Sequence, residues 1–285
     1  MQSMWELDVS PTRFKAHFSL DPGVACLNHG MLGACPISVQ QRQSTLRAQL
    51  ERQPAAFVLR ALPALLDTAR NCLAEVIGAD PQDLLLLPNV TTAMSAVLRS
   101  RIFAPGDQIL TTDHAYLSCR NLLDFIARST GAEVMVAPVK VPVQHPDAIV
   151  DAVLERVTAR TRLAVLDHVT SPTAIVFPIA RLVERLAALG IDTLVDGAHA
   201  PGMLPLDVIA IGAAYYAGDC HKWLCTPRGA GFLHVRRDRQ DGLHPPVISR
   251  GYGDATPGRP RLHLEFDWLG TCLLYTSPSP RDQRG

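Results

Sequence analysis

The feature that most constrains how this chain folds is an alternation. Short aliphatic runs bounded by turn residues recur between segments whose apolar residues keep helical spacing. That order is the pattern of βα units around a largely parallel sheet. The runs lie at 84–87, 109–112, 133–137, 163–166, 193–195, 213–217 and 231–235, and together they predict one seven-stranded sheet. Turn residues frame them: Pro105-Gly106-Asp107 precedes the second run, and Gly131 the third. Between the runs, 117–129, 149–157 and 179–189 read as helices, the last stopped by Gly190. The first eighty residues read as more helical, with 46–77 broken at Pro54 and Pro63, and are expected to wrap the sheet's edge. No internal repeat is present.

Bulk properties exclude several classes of function. With 285 residues, 47% of them hydrophobic, the chain can bury a large core of one or two domains. Its 27 Lys and Arg balance 27 Asp and Glu, so no charge excess favours nucleic acid or an anionic membrane surface. No apolar run is long enough to span a bilayer. Residues 1–10 carry Glu6 and Asp8 and no secretory pattern, so a cytoplasmic location is expected. The seven cysteines are odd in number, scattered and without a CxxC pair, which argues against a disulfide framework. Cys220, His221 and Cys225 match no common zinc spacing, and no metal is expected.

Chemistry concentrates where the strands end. Lys222, in His221-Lys222-Trp223-Leu224, follows an apolar run and precedes the Gly-rich return that leads to Phe232. Lysine is rarely buried without a partner, and a lysine in apolar surroundings has its ammonium disfavoured, which makes the amine a nucleophile toward an aldehyde. Taken alone, a surface lysine would be the more common explanation. Upstream, Val195-Asp196-Gly197-Ala198-His199 sets a carboxylate directly after an aliphatic run. A buried carboxylate needs a cationic partner, and a protonated pyridine nitrogen is one. Asp196 could equally be a turn former or helix cap. Pro88-Asn89-Val90-Thr91-Thr92-Ala93 then opens a helix with hydroxylated residues, as an anion site for a phosphate would, or as a simple N-cap would. In open α/β sheets ligands sit at the carboxyl ends of strands, so all three can converge on one cofactor.

In order, Asn89-Val90-Thr91-Thr92-Ala93, Asp113-His114-Ala115-Tyr116, Asp196-Gly197-Ala198-His199 and His221-Lys222-Trp223-Leu224 with the following Pro227-Arg228-Gly229 resemble the class V aminotransferase-type enzymes of fold type I, which depend on pyridoxal 5'-phosphate (PLP). Within that class the chain is most similar to the isopenicillin N epimerase-like branch, which also carries an early Leu27-Asn28-His29-Gly30. The resemblance covers about residues 18–271 and implies a fold type I large domain, a mostly parallel sheet of about seven strands flanked by helices. It implies Lys222 as the Schiff-base lysine, Asp196 as partner of the pyridine nitrogen and His199 near the cofactor's phenolic oxygen. Val90, Thr91, Thr92 and His221 would hold the phosphate. His114 is favoured to stack on the pyridine face, with Tyr116 close behind. Ser171 would face the cofactor, and Asn28 and His29 would line the substrate side.

Two departures from the family pattern stand out. Asp219 occupies a position where relatives offer Asn or Ser to the phosphate, and a carboxylate there repels the dianion unless it turns away or is protonated. At the other end, Thr271 matches the threonine that reaches the phosphate of a neighbouring subunit, and there the resemblance stops. Residues 272–285 resemble translated sequencing-adapter read-through, with a natural Ser/Pro-rich tail as the alternative. The family's small C-terminal domain is therefore expected to be missing. The resulting organisation is a helical segment at 1–80, a PLP-binding large domain at 81–271 and a non-native disordered tail at 272–285. The expected function is PLP chemistry at the Cα of an amino acid or peptide-like amine, in a homodimer. The alternatives are a cysteine desulfurase or C–S lyase and, from another class, an inactive truncated fragment or dimerisation module.

Overall fold

The computed structural model describes residues 14–267. Its centre is a seven-stranded sheet, with β1 Leu84–Leu87, β2 Gln108–Thr112, β3 Glu133–Ala137, β4 Thr161–Asp167, β5 Asp192–Asp196, β6 Tyr215–Asp219 and β7 Gly231–Val235. The order is β1-β7-β6-β5-β4-β2-β3. Strand β7 is antiparallel to both its neighbours, and the other pairs are parallel. All seven expected strands form in one sheet. The sixth begins at Tyr215 rather than 213, because Ala213 and Ala214 precede the ladder and β6 pairs with β5 from Tyr215.

The helices are α1 Ile37–Arg52, α2 Leu62–Ile77, α3 Val90–Ser100, α4 Leu117–Thr130, α5 Pro146–Leu154, α6 Ile179–Ala187, α7 Val208–Ile211 and α8 Arg261–Asp267. They cover both faces of the sheet, as parallel strands with crossover helices require. On one face Met94, Val97, Cys119, Leu123, Ile126 and Phe266 pack on Leu163, Val165 and Leu194. On the other, Ile77, Val150, Leu182 and Leu186 pack on Ala164, Leu166 and Val195. Neighbouring residues of β4 therefore go to opposite cores, which is the period of two that a doubly covered strand imposes. In α6 the buried residues Ile179, Leu182, Val183 and Leu186 keep the 3.6-residue period.

The expected break at Pro63 does not occur. Pro54 does begin a new turn after the non-helical Gln53, but a π-helical turn at Phe57–Ala61 runs straight into α2, and Pro63 sits in its first turn. The π turn, in which the Leu62 N–H reaches the Phe57 carbonyl five residues back, accommodates the proline without ending the helix. Helix α2 packs on the edge strand β1, and the buried Arg70 ties the two by donating from Nε to the Leu84 carbonyl at 3.0 Å. Among the described residues no helix is long and apolar enough to cross a membrane.

Candidate active site

The carboxyl ends of β4, β5 and β6 lie side by side, and each ends on an aspartate: Asp167, Asp196 and Asp219, all buried. A cavity of about 460 Å³ opens above them, lined among others by Asn28, Thr91, Tyr116, Ser171, His199 and Lys222. A narrow recess leads from Thr91 and Tyr116 down to Asp167, Asp196 and Lys222. Glycines shape the walls. A Cβ on Gly197 would sit 2.3 Å from the Tyr216 ring, and one on Gly33 would sit 2.0 Å from the Lys222 carbonyl oxygen. Gly33 also donates its N–H to the His221 carbonyl at 3.0 Å, so the N-terminal segment lies directly on the lysine loop.

Lys222 lies three residues beyond the end of β6, and its side chain is only 14% exposed. Its Nζ lies 3.3 Å from Asp219 Oδ2, while Asp219 Oδ1 accepts the Val90 N–H at 2.9 Å. Asp219 thus bridges the lysine and the N-terminus of α3. Asn89 caps the same helix, accepting from Thr92 N at 2.8 Å and Thr92 Oγ1 at 3.0 Å.

Asp196 accepts the Ala198 N–H at 3.0 Å on Oδ1 and the Cys119 S–H at 3.1 Å on Oδ2. Burial pushes its carboxyl above the ordinary range, opposed by those two hydrogen bonds and by the Lys222 charge. Asp167, its partner in the β4–β5 register, is pushed well above, by burial first and by the Asp196 charge second. Burial likewise pushes the Cys119 thiol far up, so it remains a donor. His199 is pushed down to about 4 by burial and by the Lys222 charge. Its Nδ1 accepts the Trp223 indole N–H at 3.3 Å, and its buried Nε2 has no partner among the described residues.

Several expected residues sit elsewhere than the sequence suggested. His114 does not line the cavity: its ring nitrogens lie 2.8 Å from the Val139 carbonyl and 2.8 Å from Thr173 Oγ1, and its ring meets Phe177 edge-on. Tyr116, half exposed, is the aromatic ring of that segment that lines the cavity. The amides of Val90 and Thr92 are taken by Asp219 and Asn89, which leaves Thr91 as the member of the trio on the cavity wall. Asp219 has not turned away from the helix. His221 donates Nδ1–H to the Ala230 carbonyl at 2.8 Å, so its Nε2 is an acceptor unless the ring is charged. Asn28 lines the cavity and accepts the Met31 N–H, whereas His29 packs near Trp223 and accepts the Ala34 N–H on Nδ1. Ser171 is on the rim, and Thr271 lies outside the described residues.

Asp167, Cys119 and Trp223 were missed. Asp167 carried a readable signal, since Leu166-Asp167 repeats the strand-end pattern of Val195-Asp196. Cys119 and Trp223 carried none, because their partners are distant in sequence.

A half-buried strand-end lysine, a strand-end carboxylate and a helix N-terminus around one cavity in an α/β sheet define the class of lysine-dependent enzymes with a cofactor at the sheet's carboxyl edge. The family follows from comparison: residues 44–255 match the model of the aminotransferase class-V family, and the chain belongs to it. Isopenicillin N epimerase of Streptomyces clavuligerus is 40% identical over 88% of this chain and 68% of the relative. A putative L-cysteine desulfhydrase 2 of Oryza sativa subsp. japonica is 35% identical over 88% of this chain and 55% of the relative. A C-DES mutant with glycine covalently linked to its PLP cofactor superposes with a TM-score of 0.74 at 26% identity, over 82% of this chain and 62% of the other. The chain thus spans between about half and two thirds of the length of these relatives. The enzymes of this family are PLP-dependent.

Proposed function

We propose that this chain forms the PLP-binding part of an enzyme acting at the Cα of an amino acid or peptide-like amine, in the manner of isopenicillin N epimerase. The observation that carries the reading is Lys222 against Asp219 at the end of β6, facing a cavity whose floor holds Asp196 at the end of β5. The residues fit the cofactor. Asp196 is a buried carboxylate whose hydrogen bonds are both from neutral donors, so a protonated ring nitrogen supplies the cation it lacks. His199 Nε2 is a buried polar atom without a partner. Thr91 at the start of α3 lines the wall for an anion, although Asp219 already holds one amide there.

When bound, PLP supplies an electron sink for the pair left at Cα. The chain's own residues do the rest. Lys222 Nζ would hold the cofactor covalently and would take the proton from Cα as general base. Asp196 would hold the proton on the ring nitrogen. Tyr116 lines the same cavity and is the candidate acid for the opposite face, ahead of His29, which does not line it. The cysteine desulfurase reading is less favoured: no cysteine lines this cavity among the described residues. We further propose residues 81–271 as the large domain, a cytoplasmic location and a homodimer. An apolar groove of about 360 Å³ between α2 and the β6–β7 return, with exposed Val76 beside it, supports a partner surface.

The test is borohydride reduction of the PLP-loaded chain followed by peptide mapping. The pyridoxyl group is expected on Lys222 and to vanish in Lys222→Ala. The other lysines are Lys15 and Lys140, and a label on either refutes the assignment. A chain that takes up no PLP supports the inactive-fragment alternative, and sulfide release from cysteine supports the lyase.

A further inference from the structure

We infer that Trp223 is a positioning residue that fixes the tautomer of His199, placing its single hydrogen on Nε2. The indole N–H is donor only, and it donates to His199 Nδ1 at 3.3 Å. That bond requires Nδ1 to be unprotonated. A neutral imidazole carries one hydrogen, so Nε2 carries it and becomes a donor. Burial and the nearby Lys222 charge keep the ring neutral, with its pKa held down at about 4. Among the described residues the buried Nε2 has no acceptor, so the lock leaves an unspent donor on a side chain that lines both the cavity and its recess.

The packing around the pair is built to hold it. A Cβ on Gly30 would lie 3.3 Å from His199 Cε1 and Nδ1 and 3.3 Å from Trp223 Cζ2, so the N-terminal segment closes over the bond at van der Waals distance. Gly202, at φ +83°, approaches the Trp223 carbonyl so closely that a Cβ there would lie 2.5 Å away. The Trp223 backbone is therefore held from the Gly202 side and its indole from the Gly30 side. Trp223 also follows Lys222 directly, so the lysine and the tautomer lock share one loop. Resting on the PLP reading above, the ligand group that Nε2–H meets is the cofactor's phenolic oxygen, whose anion it stabilises as a neutral donor.

The test uses the full 285-residue chain without cofactor, labelled with ¹⁵N-histidine, in long-range ¹H–¹⁵N correlation spectra. The ten histidines are resolved by ring pattern, and His199 is assigned by its loss in His199→Gln. The wild type is expected to show Nδ1 at the unprotonated position and Nε2 at the protonated one. In Trp223→Phe, which keeps an aromatic ring there and removes the N–H, the two His199 nitrogens should move toward each other while the other histidines stay in place. A protonated Nδ1 in the wild type, or an unchanged His199 pattern in Trp223→Phe, overturns the inference. If that variant does not fold, the wild-type indole N–H resonance serves instead: it should shift in His199→Gln, and no shift overturns the inference. On adding PLP, the pH midpoint of the bound cofactor's visible absorbance should rise in Trp223→Phe, and an unmoved midpoint refutes the link to the phenolic oxygen. A wild type with the expected tautomer that binds no PLP refutes the cofactor reading and leaves the lock standing.

Discussion

Gly33→Ala probes how the N-terminal segment is held over the lysine loop. The added Cβ would lie 2.0 Å from the Lys222 carbonyl oxygen and 2.8 Å from the His221 carbonyl oxygen, both backbone atoms. Ordinary contact begins near 3.4 Å, so a movement of about 1.4 Å is needed, and no side-chain rotation can supply it. The lysine loop is tied down by the Cys220 N–H to the Ala230 carbonyl at 2.9 Å, so the segment around Gly33 is the part that lifts. Overpacking of this kind costs about 1–3 kcal/mol. Losing the Gly33 to His221 hydrogen bond adds roughly 0.5–1.5 kcal/mol. At about 2–4 °C per kcal/mol for a domain of this size, Tm should fall by several degrees. The loss is bounded because the segment can detach without opening the sheet. Calorimetry with and without PLP, together with limited proteolysis, reads both effects: a lower Tm, new cleavage between α1 and the chain before it, and weaker cofactor retention, since Asn28 and Met31 leave the cavity wall. An unchanged Tm and an unchanged digest would show that the segment does not rest on Lys222.

Asp196→Asn should leave covalent attachment of PLP possible while reducing turnover and cofactor affinity, and it should not destabilise the ligand-free chain, because it removes a buried charge; unchanged turnover with full affinity would count against the pyridine-nitrogen role. Asp167→Asn should raise ligand-free stability increasingly with pH. The folded carboxyl is raised above its unfolded value near about 3.9, so the folded state binds the extra proton in that window and the parent loses stability as pH rises through the folded pKa, by about 1.4 kcal/mol for each tenfold difference in proton affinity between the folded and unfolded carboxyl. Parallel stability-versus-pH curves for parent and variant would refute it. Tyr116→Ala should alter the spectrum of bound PLP, whereas His114→Ala should mainly cost stability, by about 1–3 kcal/mol, because it leaves the buried Val139 carbonyl without its partner. The opposite assignment of the two effects would restore His114 as the stacking ring.

The local code in this chain determined the sheet and the strand-end chemistry. Apolar runs such as Leu84–Leu87 and Gly231–Val235 name their own boundaries, because a doubly covered strand is largely apolar on both faces and a turn residue must end it. Lys222, Asp196 and Asn89 were legible for a related reason: each ends such a run or follows it within a few residues, and the carboxyl edge of a parallel sheet gathers strand ends into one place. Pro63 misled, because a proline's effect depends on whether its N–H was needed, and that was decided by the π turn before it. What only the tertiary structure decided is the direction and partner of each polar side chain. His114 turns to Val139 and Thr173 rather than to the cavity, Asp219 takes the Val90 amide across 129 residues, and Cys119 reaches Asp196 across 77. Such choices follow from which buried donors lack an acceptor once the strands are side by side, and that is a property of the assembled packing that no local stretch of sequence contains.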